Sequence, residues 1–192
     1  MSSTSDSRDA ITTGRPRKSA VTEPSNLQKI AQDWSEELHE TDVYPFLITA
    51  SIQRLSLYIE RQFVEVARDY GLGAGDLRIL LVLARSGPDY ALRPTDLFRQ
   101  LLITSGAVSK QVDRLVALRL VRRATHSSDV RIQMVCLEDR GHEIAREVMH
   151  TITTSFCGLE GLSRSQNAKV VSALELLLHT VESVLDENGG EG

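Results

Sequence analysis

Cysteine is scarce in this 192-residue chain: Cys136 and Cys157 are too few for a disulfide framework. Long apolar runs are missing too. No stretch approaches the roughly 18–20 apolar residues that a bilayer crossing needs. Residues 1–20 hold no apolar segment of the kind a secretory signal carries, so a cytoplasmic protein without membrane contact is expected. There is no glycine-rich phosphate loop and no nucleophile elbow, so the residues offer no support for an enzyme. The five histidines (His39, His126, His142, His150 and His179) lack tight metal-ligand spacing. His142, Glu143 and Glu147 share a helix neighbourhood and read as a solvated face, with zinc held across a dimer as the sharper alternative. No metal or cofactor is expected, and no internal repeat is visible.

What is present is enough apolar material for a core, 41% of the residues, and an uneven charge. The whole-chain net charge of −4 hides three regions. Residues 26–72 carry a net −4, residues 85–135 a net +5, and residues 136–192 a net −6. A basic centre lies between two acidic arms.

Residues 1–25 are rich in Ser, Thr, Gly and Pro, with too little apolar surface to offset ordering entropy, and read as a disordered tail. Ser25 and Gln28 make a capping box for a helix over 26–39, with Ile30, Trp34 and Leu38 on one face. Pro45 suits the first position of a longer helix, where its missing N–H has no helical partner. Ile48, Ile52, Leu55, Ile59, Phe63, Val66 and Tyr70 then recur at a 3.5 spacing until Gly71 and Gly73 close the helix. Leu77, Leu80, Leu81 and Ala84 mark another helix, stopped by Ser86-Gly87-Pro88. Pro94, Leu97 and Leu101 form a short one. Thr104 or Ser105 caps the next, whose Val108, Val112 and Leu115 point one way while Ser109, Lys110, Asp113 and Arg114 point elsewhere.

The period then changes. Residues 120–123 read as a strand, 125–129 as a turn cluster and 131–137 as a second strand with Ile132, Met134 and Cys136 on one face. Two helices follow, 139–159 and 163–186, the second opened by a Ser163/Gln166 capping box. Val171, Leu174, Leu178, Val181 and Leu185 make its stripe, read as core or subunit interface. Both cysteines are expected to be buried and inert, Cys136 in a strand and Cys157 in an apolar helical stretch.

Helix–turn–helix–hairpin over 94–137 is the plan of a winged helix, so the fold expected is mainly α with a small β-wing. A helix fits the major groove of DNA, and its polar side chains reach base edges. A net +5 supplies backbone attraction, and a basic hairpin tip suits the negative minor groove. The bland alternative is a protein-interaction module with a solvated basic face.

Particular residues carry a resemblance. Pro94-Thr95-Asp96-Leu97, the run from Thr104 to Leu115, Leu118 to Arg123, Asp129-Val130-Arg131, and Val135 to Gly141 resemble the MarR family of bacterial transcription regulators. The likeness spans about residues 45–186 and is densest over 94–141. It implies a single domain over 26–192. Residues 26–72 and 139–186 would pair into a homodimer, and residues 73–138 would form the DNA-binding region on a pseudo-palindromic operator. Ser105, Ser109, Lys110 and Arg114 fall on the recognition helix, beside Thr95 of the preceding helix. Arg131 falls on the wing arginine and Asp129 on the carboxylate that orients it, a bidentate pairing that fixes the fork. Arg122 and Arg123 are phosphate contacts or solvated cations, and Asp113 reads as an arginine's partner. The family's thiol sensors carry a cysteine near the start of the first long helix, and this chain has none there.

Gln32-Asp33-Trp34 on an added N-terminal helix, together with Ala84 to Tyr90, is similar to the urate-responsive subgroup. That subgroup surrounds its ligand with a Trp, an Asp and an Arg. This chain has Trp34, Arg78 and Gln111 at those positions. The charge differs, which argues against urate and for another aromatic or anionic effector. Trp34 stays open between ligand contact and helix anchor. Arg78 stays open between ligand contact and an ion pair with Asp76 or Glu65. The expectation is a ligand-responsive regulator, with repression as its mode. The alternatives are a constitutive winged-helix DNA binder and a protein-interaction module.

Overall fold

The structure is a computed structural model that describes residues 27–38, 42–125 and 132–189. The chain packs as two units divided after Gln53. The first contains α1 (Leu27–Glu37) and the opening turns of α2 (Tyr44–Asp69). Trp34 meets the Phe46 ring edge-on, with centroids 5.7 Å apart. The predicted Ser25 cap lies outside the described residues. α2 begins one residue before Pro45, where the Asp42 carboxylate accepts the Tyr44 N–H at 2.9 Å.

The second unit is built around α3 (Ala74–Ala84), whose Leu77, Ile79, Leu80 and Leu83 are fully buried. A helix this apolar belongs at the centre of a fold rather than on its surface. α4 (Pro94–Leu101), α5 (Ser105–Ala117) and α6 (Asp139–Thr154) pack on it. Of the long α2 stripe, Phe63 is buried, and Val66 and Tyr70 pack partly on this core. Ile48, Ile52, Leu55 and Ile59 remain exposed.

Strands β1 (Ala91–Leu92), β2 (Val121–Thr125) and β3 (Gln133–Leu137) form an antiparallel sheet in the order β1-β3-β2. The two-residue β1 was not anticipated; its Ala91 and Leu92 pair with Cys136 and Val135. That pairing makes β3 the central strand. The expected alternation therefore gives way: Val135 and Cys136 are both buried, and Met134 is only half-buried. Segment 126–131, which joins β2 to β3, lies outside the described residues.

α6 was expected to run to Leu159 but stops at Thr154. Thr151, Thr153 and Thr154 turn their hydroxyls onto backbone carbonyls of the preceding turn, an arrangement that weakens a helix. Cys157 and Gly158 then take left-handed φ angles of 57° and 75°. Cys157 is exposed in this turn rather than buried in a helix. α7 (Arg164–Gly189) opens with the predicted box: Ser163 N–H donates to Gln166 at 2.8 Å and Gln166 N–H to the Ser163 hydroxyl at 3.3 Å. Its Val171, Leu174, Leu178, Val181 and Leu185 are exposed.

Candidate nucleic-acid interface

α4 and α5 form a helix-turn-helix. Pro94 opens α4, with Thr95 exposed beside it. The turn is made by Leu102, whose φ is a left-handed 53°. Thr104, not Ser105, caps α5: its hydroxyl accepts the Ala107 N–H at 3.2 Å. Val108, Val112 and Leu115 anchor α5 in the core. Ser105, Ser109 and Lys110 stand exposed on the other side. A Cβ on Gly106 would meet nothing within 4 Å, so the first turn of α5 is open to a close approach.

The arginines around α5 are largely engaged within the protein. Arg123 bonds Asp113 at 2.7 Å, which gives Asp113 the partner role read from the sequence. Arg122 lies 3.2 Å from the Glu138 carboxylate. Arg114 turns back toward α3, with its Nε 3.2 Å from Asp76 and its Nη2 donating to the Gly71 carbonyl at 3.4 Å. Lys110 makes no ion pair among the described residues. Asp129 and Arg131 lie outside the described residues.

Of the residues read as a ligand set, Trp34 belongs to the first unit and Arg78 and Gln111 to the second. Arg78 lines a cavity of about 610 Å³ together with Ile59, Phe63, Leu81, His142 and Met149. Its guanidinium sits 4.8 Å above the Phe63 ring. Its carboxylate partner is Glu60 on α2 rather than Asp76 or Glu65. The reason is helical geometry: Asp76 and Arg78 are two residues apart and face different ways. Arg85, Arg146 and His142 add polar groups to a lining that is otherwise apolar, and His142 stacks on Tyr90 with centroids 4.5 Å apart. Trp34 belongs to the first unit, where it lines a cavity of about 260 Å³ with Leu38, Asp42, Val43 and Phe46. Gln111 lines neither cavity. Its amide lies against Gly75, and its buried Oε1 has no hydrogen-bond partner among the described residues.

Asp76, Glu60 and Glu138 were not anticipated in these pairings. Asp76 had a signal: a carboxylate three residues after Gly73 can cap a helix start from its N3 position, and it accepts the Gly73 N–H at 3.0 Å. Glu60 and Glu138 reach their arginines from other elements, which local spacing does not encode. Burial is the leading cause that pushes the Tyr70 phenol above its ordinary range, aided by a hydrogen bond to Glu147.

A helix-turn-helix with an outward polar α5, followed by an antiparallel β2–β3 hairpin, defines the winged-helix class of DNA-binding proteins. Residues 70–132 match the sequence profile MarR_2 of the MarR family. The chain is 32% identical over 123 residues to the HTH-type transcriptional regulator PecS of Dickeya dadantii, covering 64% of this chain and 74% of that one. It therefore belongs to the MarR family of DNA-binding transcriptional regulators. Its fold is similar to that of Sco3205, a MarR family regulator from Streptomyces coelicolor solved in complex with DNA. The TM-score is 0.60 at 23% identity, over 74% of this chain and 91% of that one. It is also similar to BpsR of Bordetella bronchiseptica, whose DNA binding is regulated by 6-hydroxynicotinic acid. There the TM-score is 0.56 at 22% identity, over 68% and 97% of the two chains.

Proposed function

We propose that this regulator is a cytoplasmic, ligand-responsive repressor that binds a pseudo-palindromic operator as a homodimer. The observation that carries the DNA-binding mode is the outward face of α5, with Ser105, Ser109 and Lys110 exposed above an anchoring row of Val108, Val112 and Leu115. This face enters the major groove, and Thr95 supports it at the phosphate backbone. Arg131 is the proposed minor-groove contact, Asp129 the carboxylate proposed to orient it, and Arg122 on β2 a proposed phosphate contact. The homodimer reading is supported by Leu174, Leu178, Val181 and Leu185, exposed on α7, and Ile52, Leu55 and Ile59, exposed on α2. An obligate interface needs such apolar area.

The effector is an aromatic or anionic small molecule in the larger cavity, where Arg78 offers charge beside the Phe63 ring. Kinship with the urate-responsive subgroup, through Trp34 on α1, belongs to the same proposal. Arg78 is the proposed ligand residue of that cavity. Trp34 serves the first unit's own cavity, and Gln111 serves the α5–α3 contact. A second reading, a constitutive binder without ligand, is favoured by Glu60, which already pairs with Arg78.

Fluorescence anisotropy on a labelled duplex, selected from random DNA by the wild-type chain, tests the DNA mode. Arg131→Ala is expected to weaken binding; unchanged affinity would remove the wing from the interface. Benzoate and urate, added at millimolar concentration, test the effector. Release of the duplex by benzoate, lost in Arg78→Gln, supports the ligand reading. Intact binding with no shift in melting temperature supports the constitutive one.

A further inference from the structure

Arg114 lies on the DNA-facing helix and carries a positive charge, so its simplest role is a phosphate contact. Its geometry indicates a different role. Two of its nitrogens are engaged on the protein side: Nε with the Asp76 carboxylate at 3.2 Å, and Nη2 with the Gly71 carbonyl at 3.4 Å. Asp76 is 3% exposed, the one buried charged residue among the described residues of the core. The same Asp76 oxygen accepts the Gly73 N–H at 3.0 Å. The Arg114 side chain therefore joins α5 to the cap of α3 and to the turn before it.

A second contact lies one turn earlier on α5. The Gln111 amide occupies the space that a Cβ on Gly75 would fill, since that Cβ would fall 2.1 Å from Nε2. A glycine at this place on α3 leaves that space to the amide. The rest of the α5 anchor is apolar: Val108, Val112 and Leu115. Apolar contacts resist separation but are not directional, so they fix the angle and register of a helix weakly. A charge-assisted hydrogen bond is directional, and a buried carboxylate left without its partner is costly.

We propose that Asp76 and Arg114 are a positioning pair. They set how α5 is presented to DNA, and Arg114 does not itself neutralise a phosphate. This rests on α5 being the DNA-contacting helix, which Lys110→Met tests separately.

The experiment measures operator affinity of the full chain against salt concentration, well below the melting temperature and with the active fraction titrated. The proteins are wild type, Lys110→Met, Arg114→Met, Asp76→Asn and the double variant Asp76→Asn/Arg114→Met. A lost phosphate contact lowers the slope of log affinity against log salt by about 0.9. Arg114→Met is expected to weaken binding roughly tenfold, the scale of one lost charged hydrogen bond, with the wild-type slope retained. Asp76→Asn is expected to do the same, and the double variant to be no worse than Arg114→Met alone.

A slope reduced by about 0.9 in Arg114→Met would make Arg114 a phosphate contact and overturn the proposal. Unchanged affinity in Arg114→Met, with Lys110→Met weakened, would overturn it too. No effect of Lys110→Met would instead remove α5 from the interface. Arg114 is about half exposed, at 56% of its side chain, so its variant folds even where Asp76→Asn does not. Its slope and affinity then decide alone.

Discussion

Gly141→Ala is the most incisive perturbation of this fold. Gly141 is buried in the first turn of α6, directly against Leu120 in the connection between α5 and β2. A Cβ there would stand 2.2 Å from the Leu120 carbonyl oxygen and 3.0 Å from Leu137 Cδ1. The first obstacle is backbone, so no rotamer change relieves it. The Leu120 carbonyl also accepts the Glu138 N–H at 3.0 Å, so moving it disturbs the cap of α6. Overpacking of this kind costs about 1–3 kcal/mol, and an impaired backbone bond about 1 more. Alanine's better helix propensity returns about 1 kcal/mol. The expected net loss is about 2 kcal/mol, which lowers the melting temperature by roughly 4–8 °C for a chain of this size. Thermal denaturation followed by circular dichroism reads this directly. Gly75→Ala is the control: its Cβ meets only the mobile end of Gln111, so its stability loss should be much smaller. A Gly141→Ala protein as stable as wild type, or more so, would refute the close-approach argument.

Arg119 occupies the left-handed position after α5, with φ 56°. The bonds Arg119 N–H to Val116 and Leu120 N–H to Leu115, both 3.0 Å, complete a Schellman motif that favours glycine. Arg119→Gly should therefore stabilise the fold by roughly 0.5–1 kcal/mol in urea titration; destabilisation would mean that the arginine side chain has a partner. Thr104→Ala removes the α5 cap and should cost about 1 kcal/mol in the same assay. Tyr70 has a folded pKa raised above the ordinary 10.0, so its contribution is complete below pH 10 and is lost as pH rises through the folded value. Melting temperature should fall faster above pH 10 in wild type than in Tyr70→Phe; parallel curves would remove Tyr70 from the alkaline transition. Glu138→Gln frees Arg122 from its partner and should tighten operator binding at low salt, with a steeper salt dependence; unchanged binding would place Arg122 away from the phosphates.

The helices were legible where periodicity and caps coincide. The Ser163/Gln166 box and the Pro94 start fall as expected, because both signals are local. α6 was overextended because an apolar period says nothing about hydroxyls folding back on carbonyls at Thr151, Thr153 and Thr154. β1 was missed because two residues carry no period, and its presence changed which faces of β3 are covered. The division of α5 into an inner and an outer face was readable from the row of Val108, Val112 and Leu115, which is buried. The ion pairs were not, since Glu60–Arg78 spans 18 residues of sequence and no spacing rule reaches that far.

Those pairs also change what the basic centre means. The net +5 of residues 85–135 counts charge by position along the chain. Folding brings two carboxylates from outside that segment onto it: Asp76 against Arg114, and Glu138 against Arg122. Asp113, already inside the segment, takes Arg123. The positive field near α5 is therefore weaker than the segment sum implies. Lys110, without an ion pair among the described residues, gains weight in proportion. An arginine held by a carboxylate exchanges one partner for another when it meets a phosphate, so its net gain is smaller than that of a free cation. What the paired arginines supply instead is geometry. Arg114 ties α5 to α3, Asp113–Arg123 ties α5 to β2, and Arg122 ties β2 to the start of α6, so that a helix with an otherwise apolar anchor is held in one orientation.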